Sequence, residues 1–398
     1  MTKDKKIIIS ISSCICLIDV FYELFFNIYI MQTVTTDLAL IFGCYLAGIA
    51  ISLLLYYPFF KILNGKTAIW IYRSSFLLSF IVVLLSMTLN SNFVFTLIFI
   101  TFIRQVFGLC FYVPQEIAVM KHVDKNDSGK FLAIKVMVNT TFKVLFSLLV
   151  SSLFTFFNTF WLFVIMLVDV AVMFVLSFWA SPAGVDFNFR PKGFLNDIKK
   201  YPHMKYIYVS HTFKRASEAG VVATIIPLIL YINTGSEFSL GIYASIACIL
   251  TACWLPLFAR FKKHKSQITL ISIITLILSS LLLIINVSPL TYALYYLINQ
   301  FASSSYTNIQ NASLFDSIKY PVLFTNKEEH AYFYSLFGKI AEIFSYSIGI
   351  IFYLIMPIKH SLACTLIFFM ITKLVSYFFW QKSESYSKKL TKLEIIQI

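Results

Sequence analysis

The chain has 398 residues, of which 59% are hydrophobic and only 13% charged, and its mean hydropathy is +0.82. A soluble domain carries about 25% charged residues, so this composition excludes one and points to a polytopic helical membrane protein. The formal net charge of +14 does not imply a nucleic-acid partner, because basic residues gather in the cytoplasmic loops of membrane proteins.

A span takes about 20 apolar residues. Twelve such segments follow in chain order, over 7–31, 38–60, 67–89, 93–116, 130–155, 159–181, 204–232, 238–259, 267–286, 289–313, 330–356 and 360–380. The first run is too long for a cleavable signal and lacks an A-x-A site, so it stays as a helix. Pro114 is placed to kink or end the fourth span. Lys and Arg fall in alternate loops: Lys61 and Lys66, Lys121 to Lys130, Arg190 to Lys205, Arg260 to Lys265, Lys319 and Lys327, and the two ends. The intervening loops hold only Lys359. That one-sidedness places both termini in the cytoplasm. The longest connection, 182–203, mixes charges with Pro182, Gly184, Pro191, Gly193 and Pro202, a linker composition. The expected organisation is one six-helix bundle over 1–181, a cytoplasmic linker over 182–203, and a second bundle with its tail over 204–398.

The two halves resemble one another weakly. Pro58 and Pro256 lie 198 residues apart in similar settings, and the same offset carries Asp19 to within one residue of Glu218 and Lys143 to within one of Glu342. A duplicated bundle is the architecture this favours. Seven cysteines (Cys14, Cys16, Cys44, Cys110, Cys248, Cys253 and Cys364) fall inside apolar segments with no CxxC pair. They read as small buried residues, neither bridged nor metal-binding. Trp70, Tyr72, Trp179 and Trp380, at span ends, suit an aromatic belt.

Charges inside the bilayer are costly and face a bundle interior or a water-filled path. Span 1 carries Asp19 and Glu23 at i, i+4, on one face near mid-depth. A carboxylate at such a site can hold a proton near neutral pH, the behaviour of a coupling site. Arg104 in span 4 is the expected partner, and a fixed structural ion pair is the other reading. Span 5 carries Lys135, Asn139 and Lys143 at helical spacing; Lys135 is near enough to the end to snorkel. Asp169, in the middle of span 6, is open to two readings: a second proton site, or a hydrogen bond to a neighbouring helix. In span 7, His211, Lys214, Arg215 and Glu218 share a face at i, i+3, i+4 and i+7. Lys214 and Arg215 can both pair with Glu218, which leaves internal neutralisation of that helix as the alternative to function.

Span 10 holds a polar run with Asn299, Gln300, Ser303, Ser304, Ser305, Asn308, Gln310 and Asn311, suited to substrate hydrogen bonding or to helix–helix glue. Span 11 carries Lys339 and Glu342 at i, i+3, and Lys373 in span 12 is expected to snorkel. The deep cations outnumber the deep anions Asp19, Glu23, Glu218 and Glu342, and His211 adds to the cations when protonated. A low-dielectric cavity with such a surplus attracts anions.

The layout of six spans, a cytoplasmic linker and six spans resembles the major facilitator superfamily over essentially the whole chain. The loop between spans 2 and 3 of that family carries G-x-x-x-D-R-x-G-R-K. Here Gly65 and Lys66 match, while the first Gly, the Asp and the first Arg are absent. Arg104 and Gly108 fit the R-x-x-x-G of proton-coupled members, and Ser128-Gly129-Lys130 partly fits the motif before span 5. The segment 136–152 has neither Gly nor Pro, which departs from drug–proton antiporters.

The resemblance implies an all-α protein of two bundles in the cytoplasmic membrane, with spans 1, 4, 5, 7 and 11 lining or bordering a cavity. The function expected is that of a monomeric, proton-coupled secondary transporter that exports a small anionic or zwitterionic molecule, such as a carboxylate-rich metallophore, by alternating access. Multidrug efflux of lipophilic compounds is the alternative, followed by organic-anion uptake or lipid flipping. Sodium could replace the proton. The coupling candidates are Asp19, Glu23, Arg104, Glu218 and Glu342; the substrate candidates are Lys143, His211, Lys214, Arg215, Lys339, Asn299 and Gln300. With no P-loop, HExxH or GxSxG pattern, neither enzymatic activity nor a cofactor or metal is expected.

Overall fold

Backbone groups in a bilayer must be paired internally, and helices do this within one segment. The computed structural model describes residues 3–64, 66–89, 93–122, 128–179, 196, 198–199, 202–258, 264–285, 288–318 and 327–396, and these contain helix and no strand. The linker expected at 182–203 lies largely outside them, as do Gly65 and the side chains of Lys135 and Lys359.

The elements are α1 (Lys3–Val20), a π-helical turn (Phe21–Phe25), α2 (Phe26–Thr33), α3 (Leu38–Leu53), α4 (Tyr56–Ile62), α5 (Thr67–Met87), α6 (Phe93–His122), α7 (Ser128–Phe156) and α8 (Thr159–Ser177). They continue as α9 (Pro202–Glu218), α10 (Val221–Thr234), α11 (Glu237–Phe258), α12 (Lys265–Ile285), α13 (Pro289–Ile318), α14 (Lys327–Ile355) and α15 (Ile358–Ile396). Among the described residues ten helices are long and apolar enough to cross a membrane, or eleven if the bent pair α3–α4 is one span. The remaining expected span is α13, a helix whose polar run from Asn299 lowers its hydropathy. The chain is a multi-pass membrane protein.

Local chemistry sets the helix ends. Asp37 caps α3, its Oδ1 accepting from the amides of Ala39 at 3.0 Å and Leu40 at 3.3 Å. Asn158 caps α8 by accepting from Phe160 N–H at 3.0 Å. Both are short polar side chains that satisfy orphan N–H groups. The second span bends by 41° between α3 and α4. The cause is Pro58, which has no N–H for the Leu54 carbonyl and crowds it. Pro114, by contrast, neither ends nor breaks α6, which runs on to His122.

The described chain packs as two units, residues 1–187 with 226–253, and 188–225 with 254–398. The end of span 7 and most of span 8 thus fall in the first unit. In that unit Gln32 Nε2 donates to Tyr231 OH at 2.9 Å, and Ser245 Oγ donates to the Val144 carbonyl at 3.0 Å. Small residues let these helices approach: a Cβ on Gly48 would sit 2.6 Å from Thr101 Cβ.

In the second unit a core of Met204, Ile207, Tyr208, Ile273, Tyr306, Ile309, Tyr377 and Trp380 joins α9, α12, α13 and α15. Ser210 and Ser376 exchange hydroxyl-to-carbonyl bonds across α9 and α15, each at 2.8 Å. Apolar burial gives little net drive in lipid, so such contacts hold the helices together. Trp70 and Trp179 are exposed as a belt requires, but Tyr72 and Trp380 are buried in helix packing and do not belong to one. Cys253 is exposed, against the expectation that all seven cysteines are buried.

Candidate functional site

In the first unit the site begins with the π turn. The Phe26 amide bonds the Phe21 carbonyl, one residue further than in an α-helix. Such bulges rotate the following side chains and are frequent at functional sites. Phe21, Tyr22 and Phe25 point into the packing, while Glu23 is 52% exposed. Glu23 Oε2 pairs with Lys143 Nζ of α7 at 3.2 Å. Asp19, one turn earlier, accepts from Tyr112 OH of α6 at 3.4 Å.

Arg104 does not pair with either carboxylate among the described residues; its guanidinium lies 4.2 Å over the Tyr22 ring. The expected Arg104 partnership is thus replaced by Lys143 for Glu23 and Tyr112 for Asp19. Tyr112 was legible in outline, since Arg104, Gly108 and Tyr112 fall at i, i+4, i+8 on one face. Asp169 Oδ2 is buried without a hydrogen-bond partner, as is Asn139 Oδ1.

In the second unit span 7 breaks between α9 and α10. Gly220 has φ of +62°, and a Cβ there would come within 3.0 Å of Ser345 Cβ. Glycine meets both demands. Ser345 of α14 bridges the break: its Oγ accepts from Val221 N–H at 3.2 Å and donates to the Ala219 carbonyl at 3.3 Å. The sequence reading expected one unbroken helix here.

The charged quartet lies just before that break. Lys214 Nζ is 3.9 Å from Glu218 Oε2 and donates to Asn311 Oδ1 and to the Thr307 carbonyl at 3.5 Å. Thr307 Oγ1 donates to Glu218 Oε1. Arg215 Nη2 meets Glu342 Oε1 at 3.2 Å. Lys339 Nζ holds the other oxygen of Glu342 at 2.7 Å. His211 is buried and stacks on Tyr334 with ring centroids 4.0 Å apart.

Asn299 is buried with its Oδ1 unpartnered, and Gln300 is half-buried. Lys373 does not snorkel. It is 1% exposed, donates to Ser303 Oγ at 3.0 Å and lies 5.0 Å over the Tyr306 ring. Its place on the inner face of α15 follows from Ser376, three residues on, which binds Ser210 and Tyr306.

Among the described residues no group of three or more His, Cys, Asp or Glu side chains is arranged to hold a metal ion. What the two clusters can do is hold charge: a carboxylate paired with Lys143 in the first unit, and two carboxylates among several cations in the second.

Solved structures share this architecture. The nucleoside transporter NupG matches with a TM-score of 0.66 at 13% identity, covering 96% of this chain and 99% of that one. The two chains share a fold. A bacterial homologue of the iron transporter ferroportin, outward-facing with soaked iron, matches with a TM-score of 0.68 at 12% identity, covering 96% of this chain and all 100% of the other. A bacterial metal transporter gives 0.61 at 11%, covering 96% and 99%. At these identities the likeness concerns the fold alone, which is all-helical among the described residues. No family model and no curated protein matches the chain.

Proposed function

We propose that this protein is a proton-coupled secondary transporter of the cytoplasmic membrane that exports a small anionic or zwitterionic organic molecule by alternating access. The observation that carries the reading is the charge set of the second unit. Lys214, Arg215, Lys339 and Lys373 lie in this unit with the carboxylates of Glu218 and Glu342. A transporter fold lined this way favours anions, since lipophilic cations need acids and aromatics instead. Arg215 and Lys339 share one carboxylate, so an incoming carboxylate or phosphate can compete for them, Arg bidentately. Lys143 offers a third contact, and Asn299 and Gln300 supply hydrogen bonds. His211 and Lys214, both buried, set the field behind the substrate.

Proton coupling is assigned to Asp19 and Glu23, beside Arg104, with Glu218 and Glu342 as further carriers. A carboxylate that trades its cation for a proton frees that cation for substrate. The metal cargo named for two of the structural neighbours is less well supported here, because the described donor residues do not cluster.

Membrane vesicles bearing Arg215→Ala or Lys339→Ala test the assignment. Anion-driven flux is expected to fall at least tenfold in each while the protein still reaches the membrane. Normal flux in both variants contradicts it.

A further inference from the structure

The second unit holds a small cavity of about 10 Å³ lined by Ile207, Ser210, His211, Lys214, Gln310 and Trp380. That is the room of about one water-sized sphere. Three of its lining residues carry buried polar atoms with no hydrogen-bond partner: His211 Nε2, Gln310 Nε2 and Trp380 Nε1. These residues are 4%, 5% and 3% exposed. Buried polar atoms without partners are rare and each calls for an occupant or a reason. Three of them on one small cavity call for one occupant.

The chemistry of the lining selects it. The Trp380 indole N–H is a donor only, the Gln310 amide nitrogen is a donor, and Lys214 has donors and no acceptor. Gln310 Oε1 lies 3.2 Å from Ser376 Oγ, and its amide nitrogen is the atom without a partner. Three such donors exceed the two lone pairs of a water, whose own protons would also need acceptors. Lys214 donates to Asn311 and Thr307 and lies 3.9 Å from Glu218, and Lys373 donates to Ser303 with no carboxylate within ion-pair distance among the described residues. The occupant that meets every donor, offsets the surplus charge and fits a single sphere is a monatomic anion. We infer that this cavity is a binding site for a halide ion, chloride in a cell, held by Trp380, Gln310 and Lys214 with His211 as a fourth donor in its Nε2–H tautomer. The site lies within one unit, and the inference does not depend on which substrate the protein carries.

The test is a bromide titration of the purified full-length protein in halide-free sulfate buffer, read by tryptophan fluorescence. Bromide quenches exposed indoles by collision, in linear proportion to its concentration. A halide seated against Trp380 adds a saturable component. Gln310→Leu keeps Trp380 as reporter and is expected to raise the saturation midpoint at least tenfold. For Trp380→Phe, where the reporter is lost, the readout is the chloride-dependent rise in melting temperature, which is expected to shrink to the level seen with sulfate. Both variants must elute as the wild type does in sulfate.

Saturable binding weakened by both substitutions supports the site. Linear quenching alone, with no chloride-dependent rise, means that water fills the cavity and overturns it. Saturable binding untouched by either substitution places the halide elsewhere and also overturns it. So does a saturable signal produced by acetate or citrate and not by bromide, which would make the cavity the seat of an organic anion's oxygen.

Discussion

Glu342 is held by two cations at once, Lys339 of its own helix at 2.7 Å and Arg215 from the end of α9 at 3.2 Å. Glu342→Gln removes the carboxylate that both share. Removing one partner of a fully buried pair costs about 3–5 kcal/mol. Arg215 keeps part of its hydration, so a loss of about 1–2 kcal/mol is expected, with a lower melting temperature. A double cycle with Arg215→Ala should be non-additive; strict additivity of the two melting shifts would show that the contact is not energetically coupled.

The Glu23–Lys143 pair behaves differently because both side chains reach solvent. Such a pair is worth about 0–1 kcal/mol. Lys143→Ala is therefore expected to leave the melting temperature within a few degrees of wild type while reducing anion flux several-fold. A large thermal shift with unchanged flux would assign the pair a structural role.

Asp19 has a tyrosine hydroxyl for a partner and no cation within ion-pair distance among the described residues. Asp19→Asn is expected to abolish the response of transport to an imposed pH gradient, and Tyr112→Phe to weaken it. An unchanged response in Asp19→Asn, followed with a pH dye in vesicles, would mean that this residue only supports the fold.

Gly220 is the joint of span 7. Gly220→Ala forces a Cβ into the left-handed region and against Ser345, at a cost of about 1–3 kcal/mol. Ser345→Ala strands the Val221 amide that it now receives, for a similar loss. Thermal unfolding of both variants in detergent checks this, and wild-type stability in Gly220→Ala would show that the break does not need glycine.

The spans were legible because a helix that crosses lipid must be long and apolar, and the expected segments are helical where described, with breaks in spans 2 and 7. The polar run of span 10 was legible too, yet it hid the span from a test of apolarity alone. Pairing was not legible to the same degree. The i, i+3 and i, i+4 spacings found Lys214–Glu218 and Lys339–Glu342, which lie on single helices. They could not find Arg215–Glu342 or Glu23–Lys143, which depend on which helices are neighbours. The π turn and the break at Gly220 were hidden for a related reason: a π turn has no composition of its own, and the glycine acts through Ser345, 125 residues away. Trp380 and Lys373 misled because a span-end position suggests the membrane surface, while the side chains point inward.

This protein is proposed to move anions against protons. Everted vesicles with an imposed pH gradient, followed by a pH dye, test it directly as carboxylate-rich metallophores and then lipophilic cationic dyes are added. Collapse of the gradient by the carboxylates alone is the predicted result. Collapse by the cationic dyes alone would contradict the account, whatever the charge of the second unit.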